Sequence, residues 1–303
     1  MRAATFSAMI RRQPRLALSV LIAVTWTAIS FRPTMAHEEP PKTSVERTEQ
    51  AKRRALFASQ RVRLQRLRIA RPAERSGEFH DMDYVTNRFN ETGDLIEQIV
   101  HDAANGERSV SVYDGDGTWL EELHYKGTEL SERDVHVYGA DGLIRSVVVF
   151  DSAGSQSEFL RYEYRPETDA ILVEKRDRDA RALYTIEYDY EPGSGWSRQI
   201  QAVQKGADGA IMLRTRNTFE AGRRLTKEVY RADGALSHVF HYFYTPGGDF
   251  HEIVQRTATG GPVASRQLFD YEDNGLPLAV TNFDGDGKIV RRLLYSYERF
   301  PNP

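Results

Sequence analysis

The chain has 303 residues, 40% hydrophobic and 28% charged, with a net charge of −3 and no cysteine, a composition typical of one or two globular domains. Without cysteine there can be no disulfide, thiolate metal site, cysteine nucleophile or acylated lipoprotein anchor, so stability must come from packing and backbone pairing. Charge is unevenly spread. Ser44 to Arg75 carries ten basic residues against Glu46, Glu49 and Glu74, whereas Ser76 to the end carries 25 basic and 39 acidic residues, so the two parts attract each other.

The first 36 residues read as an export signal. Arg11, Arg12 and Arg15 precede an apolar run of 16 residues from Leu16 to Phe31, and Thr34-Met35-Ala36 supplies the small residues a signal peptidase accepts. The run is shorter than the roughly 20 apolar residues that comfortably span a bilayer, so cleavage after Ala36 is favoured over an uncleaved anchor. Membrane association is expected only if the signal stays. Either way, the remainder is expected to be periplasmic or secreted. Residues 37–80 are read as a basic spacer and helix. Ser44 can cap a helix running towards Ile69, with neither Gly nor Pro before Pro72. Its basic face suits packing on the acidic repeats better than nucleic-acid binding.

Residues 81–303 repeat themselves, and self-similarity at a fixed period is the first evidence of architecture. Tyr138, Tyr164, Tyr190, Phe219, Tyr244, Tyr271 and Tyr297 follow at intervals of 26, 26, 29, 25, 27 and 26, each just before a turn marked by Gly or Asp. A second set of turns falls between them (Gly127, Gly154, Asp179, Gly209, Gly234, Gly261, Gly287), so the chain reverses about every 13 residues. Between turns the residues alternate, as in Ile186, Tyr188, Tyr190 against Thr185, Glu187, Asp189, which is the period of a strand. The expected fold is therefore all-β. An antiparallel meander of about 16 short strands in tandem hairpin repeats should form a twisted, curled sheet, preceded by the short N-terminal helix. Stacked tyrosines on one face would fix register, because a slip of one residue turns every ring to the other face.

The units Phe150-Asp-Ser-Ala-Gly154 with Tyr162-Glu-Tyr164, Tyr230-Arg-Ala-Asp-Gly234 with Tyr242-Phe-Tyr244, and Phe283-Asp-Gly-Asp-Gly287 with Tyr295-Ser-Tyr297 resemble bacterial RHS or YD repeats, and MORN-like repeats share the cadence. The resemblance covers about Tyr84 to Phe300. It implies a curled sheet used as shell, scaffold or adhesive surface, with no catalytic residue to carry over.

Few constellations point to chemistry. Asp114-Gly-Asp116-Gly117 and Asp284-Gly-Asp286-Gly287 offer two carboxylates each, too few for calcium, and read as hairpin turns. His238 and His241 are an odd number of residues apart on a strand and point to opposite faces, while His80, His101, His124, His136 and His251 are scattered. No catalytic residue, metal ligand or cofactor is nominated. If any row binds a partner, it is Tyr164, Tyr190, Tyr244, Tyr271 and Tyr297, although a buried folding ladder explains the same pattern. The reading is an exported, non-enzymatic scaffold or binding surface for a protein or glycan. The alternatives are an outer-membrane β-barrel, against which the charged strands argue, and an exported carbohydrate-active enzyme.

Overall fold

The computed structural model describes residues 44–72, 79–102, 106–194, 196 and 198–301; the export signal expected in residues 1–36 lies outside them. Helix α1 (Ser44–Ser59) precedes eighteen strands: β1 (Val62–Pro72), β2 (Phe79–Phe89), β3 (Leu95–Asp102), β4 (Glu107–Tyr113), β5 (Trp119–Lys126), β6 (Glu129–Tyr138), β7 (Ile144–Asp151), β8 (Gln156–Arg165), β9 (Ala170–Asp177), β10 (Ala182–Tyr190), β11 (Gln199–Gly206), β12 (Ile211–Glu220), β13 (Arg223–Arg231), β14 (Leu236–Tyr244), β15 (Phe250–Arg256), β16 (Val263–Tyr271), β17 (Pro277–Asp284) and β18 (Ile289–Arg299). Each pairs antiparallel with its neighbours in sequence.

The expected open, curled sheet of about 16 strands is overturned by β1. This strand pairs along one side with β18, placing Leu67 opposite Tyr295 and Ile69 opposite Leu293, and along the other with β2, placing Leu67 opposite Val85. The sheet therefore closes into an 18-stranded antiparallel barrel. The predicted helix towards Ile69 stops at Ser59, where Arg61 takes a left-handed φ of 52°. Beyond that point Leu67 and Ile69 turn to the buried side, while Arg66 and Arg68 stay partly exposed. That alternation is the strand signal which the charge-rich composition of the segment hid.

The turns follow one plan. In ten of the loops between strands the residue that opens the turn, such as Asp114, Asp151, Asp177 or Asp284, donates its N–H to the carbonyl four residues on and accepts from the N–H three residues on. This is a three-residue hairpin loop with a left-handed third residue. Gly supplies that residue at 154 (φ 77°) and 287 (φ 80°), and Ala180 does so at φ 62°. Where Asp opens the loop, its carboxylate also accepts the N–H of the residues two and four further on, as at Asp284 with Asp286 and Lys288. The Asp-Gly-Asp-Gly sequences thus spend their first carboxylate on the turn itself.

Alternation separates an inner from an outer wall. Inner positions are strongly buried and form two apolar arcs. One runs from β14 through β18 and β1 to β3 and includes Phe240, Ile253, Val280, Leu293, Leu67 and Val85. The other runs from β7 to β10 and includes Val147, Leu160, Ile171, Val173 and Tyr190. Polar inner positions separate the arcs, with Ser111, Glu122, His124, Asp134 and His136 on β4–β6, and Gln204 and Asn217 on β11–β12, all buried. The outer wall carries ion pairs such as Arg133–Glu121 at 2.7 Å, Arg266–Glu252 at 2.5 Å and Arg66–Glu298 at 2.6 Å.

Two arrangements hold the closure. Gln98 donates to Asn87, Asn87 to Gln65 and Gln65 to the Tyr297 hydroxyl (2.9, 2.8 and 3.2 Å), and Tyr297 donates to the Pro277 carbonyl at 2.7 Å. This relay crosses β3, β2, β1, β18 and β17. At the end of the barrel where β1 begins, α1 sits against the turns at 90–94 and 272–276. Phe57 meets Phe89 edge-on at 4.5 Å within a buried cluster with Val62 and Leu276, and Arg54 pairs with Asp94 at 3.0 Å. Gly93, at φ 81°, lies so close to the helix that an added Cβ would fall on the Arg54 carbonyl oxygen.

Two substitutions test these contacts. Gln65→Leu removes the central link of the relay and leaves Asn87 and Tyr297 short of a partner; unfolding free energy should drop by about 1–3 kcal/mol, read from the urea midpoint. Gly93→Ala combines a left-handed φ with a backbone clash and should cost at least about 1 kcal/mol. An unchanged midpoint for Gly93→Ala would mean that α1 is not docked on this turn.

Candidate functional site

The tyrosine row expected to meet a partner is built into the wall. At the open end of five hairpins the last tyrosine of the second strand donates its hydroxyl to a carbonyl at the start of the first. Tyr138 reaches Trp119 (2.7 Å), Tyr164 reaches Ile144 (3.0 Å), Tyr244 reaches Arg224 (2.9 Å), Tyr271 reaches Phe250 (3.0 Å) and Tyr297 reaches Pro277 (2.7 Å). The sequence separations of 19 to 21 residues follow from the length of two short strands and one turn. Each bond latches the base of a hairpin.

The five named tyrosines fall into three groups around the barrel. Tyr164 and Tyr190 flank Trp196 edge-on, with centroids at 6.0 and 5.5 Å, and Tyr190 is 2% exposed. Tyr244 stacks on Phe250 at 5.0 Å, and both pack with Tyr271 against the larger apolar arc. Tyr297 meets Phe57 of α1 at 6.3 Å. The folding-ladder explanation accounts for these contacts. His238 and His241 lie on opposite faces of β14, His238 opposite Val229 and His241 opposite Thr226.

The most chemically loaded place is the polar inner stretch on β5 and β6, and it was not nominated from sequence. The hairpin turning at Gly127 sets Glu122 opposite Asp134 and His124 opposite Glu132. Directly opposite side chains lie about 4.5–5.5 Å apart at Cβ and next-but-one residues of a strand about 6.6 Å apart, so the four functional groups form a compact four-cornered patch, the square. The His124 ring addresses three of its corners. Nε2 lies 3.3 Å from Asp134 Oδ2 and 4.0 Å from Glu132 Oε1, and Nδ1 lies 3.9 Å from Glu122 Oε1. Glu122 (7% exposed), His124 (6%) and Asp134 (0%) are buried, while the Glu132 side chain is 36% exposed. His136 follows on the same face of β6, its ring 4.2 Å from that of Trp119. Ser109 and Ser111 of β4 stand opposite His124 and Glu122 on the other side. Ser111 is buried.

Two carboxylates and an imidazole at this separation can hold a proton between them or chelate a cation. The signal that could have found them is the hairpin symmetry of Glu122-x-His124 and Glu132-x-Asp134 about residue 128, joined to the inward phase of the alternation.

No protein-family model matches the chain and no curated protein matches it. Among solved structures, a porin-like protein from Bacteroides uniformis is 11% identical, covering 78% of this chain and 98% of its own, at a TM-score of 0.44. A porin-like protein from Bacteroides vulgatus is 10% identical, covering 77% and 98%, at 0.30. A TcdB2–TccC3 toxin structure is 12% identical, covering 72% of this chain and 15% of its own, at 0.17. At these scores the likenesses carry no argument about function.

The latch reading makes a quantitative expectation at Tyr164. Tyr164→Phe keeps the ring and removes the bond to Ile144; it should lower unfolding free energy by about 0.5–1.5 kcal/mol, and Tyr164→Ala should lower it further. Wild-type stability in Tyr164→Phe would show that the latch contributes nothing to folding.

Proposed function

We propose that this chain is an exported β-barrel protein of the cell envelope. Closure through β1, paired on both sides, is the observation that carries the proposal. It favours the barrel alternative over an open repeat scaffold, since a closed ring has no free sheet edge on which a partner strand could add. An even number of antiparallel strands, here eighteen, is also the pattern of single-chain outer-membrane barrels. On this reading the RHS/YD-like cadence is the module from which the ring is built, each repeat contributing one hairpin and five of them a tyrosine latch.

A second reading, a barrel bathed in water, is favoured by the outer wall. Arg66 and Arg68 on β1, and Arg133 with Glu121 across β5 and β6, alternate with the inward residues and so face outward. A basic side chain facing lipid at mid-membrane costs about 2–4 kcal/mol, whereas the same groups in water form surface pairs worth up to about 1 kcal/mol. Without a continuous apolar belt, the barrel would stand in the periplasm or at the membrane surface.

Cell fractionation of the full chain separates these readings. Retention in the outer-membrane pellet through a carbonate wash, with release by detergent, supports a lipid-embedded barrel. Recovery in the soluble periplasmic fraction selects the water-bathed form. Recovery in the cytoplasm would sink the proposal of an exported protein altogether.

A further inference from the structure

The square on β5 and β6 supports an inference that goes beyond envelope location and is independent of it. We propose that Glu122, His124 and Asp134 bind a divalent first-row transition ion of the zinc type, with Glu132 as a further oxygen donor at the exposed rim. Among the described residues these three form the group whose ligand atoms all lie within 4.8 Å of one another. The shortest imidazole-to-carboxylate separation, 3.3 Å between His124 Nε2 and Asp134 Oδ2, is already that of neighbouring donors around such an ion, since bonds of about 2.0–2.2 Å in tetrahedral geometry separate donors by roughly 3.4 Å. The other separations, up to 4.8 Å, are what side-chain rotation has to close on binding.

Two physical points favour a metal over hydrogen bonding alone. Burying carboxylates is costly unless their charge is offset, and Glu122 and Asp134 are two such groups within reach of one ion. A divalent ion offsets both. Rigid, adjacent strands supply the donors, so the site is organised by the same register that closes the sheet and binding need order no loop.

The donor set chooses the class of ion. Calcium calls for six to eight oxygens, and magnesium keeps several waters and is held through carboxylates and phosphates. An imidazole among two or three carboxylates suits zinc, manganese, iron or cobalt.

The test uses the full chain, stripped with a chelator and titrated with Zn²⁺ in competition with a chromophoric chelator. One saturable equivalent should bind the wild type, and affinity should fall at least about tenfold in His124→Ala and in Asp134→Asn, the lower end of what even a supporting residue of a metal site is worth. A readout on the unaltered chain guards against variants that fail to fold: on adding Zn²⁺, the imidazole nitrogen resonances of His124 should shift while those of His238 stay in place. Lack of saturable Zn²⁺ binding, binding retained in both folded variants, an unmoved His124 resonance, or tighter binding of Ca²⁺ than of Zn²⁺ would each overturn the assignment.

Discussion

The structure depends on a single strand finding two partners. β1 joins the last strand to the second, and with it eighteen short segments that could end in two open edges become a ring. Every other element then has its register set from both sides. The relay from Gln98 to Pro277 crosses five strands at this seam. Its polarity is physically sensible, because a row of amides in a buried wall tolerates one register only, and a slip would leave several donors unmatched. Apolar side chains at the same positions could slide at much smaller cost.

Away from the seam the repeat carries its own stability. The left-handed residue of each three-residue turn and, where present, the aspartate that accepts its N–H groups and the tyrosine that latches the hairpin base lie within one unit of about 26 residues. A unit can form locally, and burial between neighbouring units then joins them. Two apolar arcs and two polar stretches on the inner wall show that the units share a backbone plan while differing in what they present inward. That difference gives β5 and β6 their concentration of chemistry.

Much of this was legible beforehand for a physical reason: turns demand particular residues and strands demand alternation, so Gly154, Gly287 and the Tyr164–Tyr190 spacing announce hairpins without reference to anything distant. Closure was not legible. It rests on residues 62–72, whose arginines suggested a solvated helix and whose partners, Tyr295 and Val85, are 228 and 18 residues from Leu67 in the chain. The inner square was missed for a related reason. Glu122, His124, Glu132 and Asp134 looked like members of a scattered acidic population, and only the pairing of β5 with β6 separates them from the many carboxylates that face outward. The tyrosines were visible as a row, but the hydroxyl partners of Tyr164, Tyr244, Tyr271 and Tyr297 are backbone carbonyls, which every residue has and which sequence therefore cannot mark.

Uninterrupted antiparallel closure also restricts how such a molecule can vary. Adding or losing one strand would make the first and last strands meet in parallel at the seam, a pairing with slanted hydrogen bonds that is slightly less stable per residue. Antiparallel sealing is therefore kept when the circumference changes in steps of a whole strand pair, so gene duplication and deletion that act on complete repeats leave the sealing segment undisturbed.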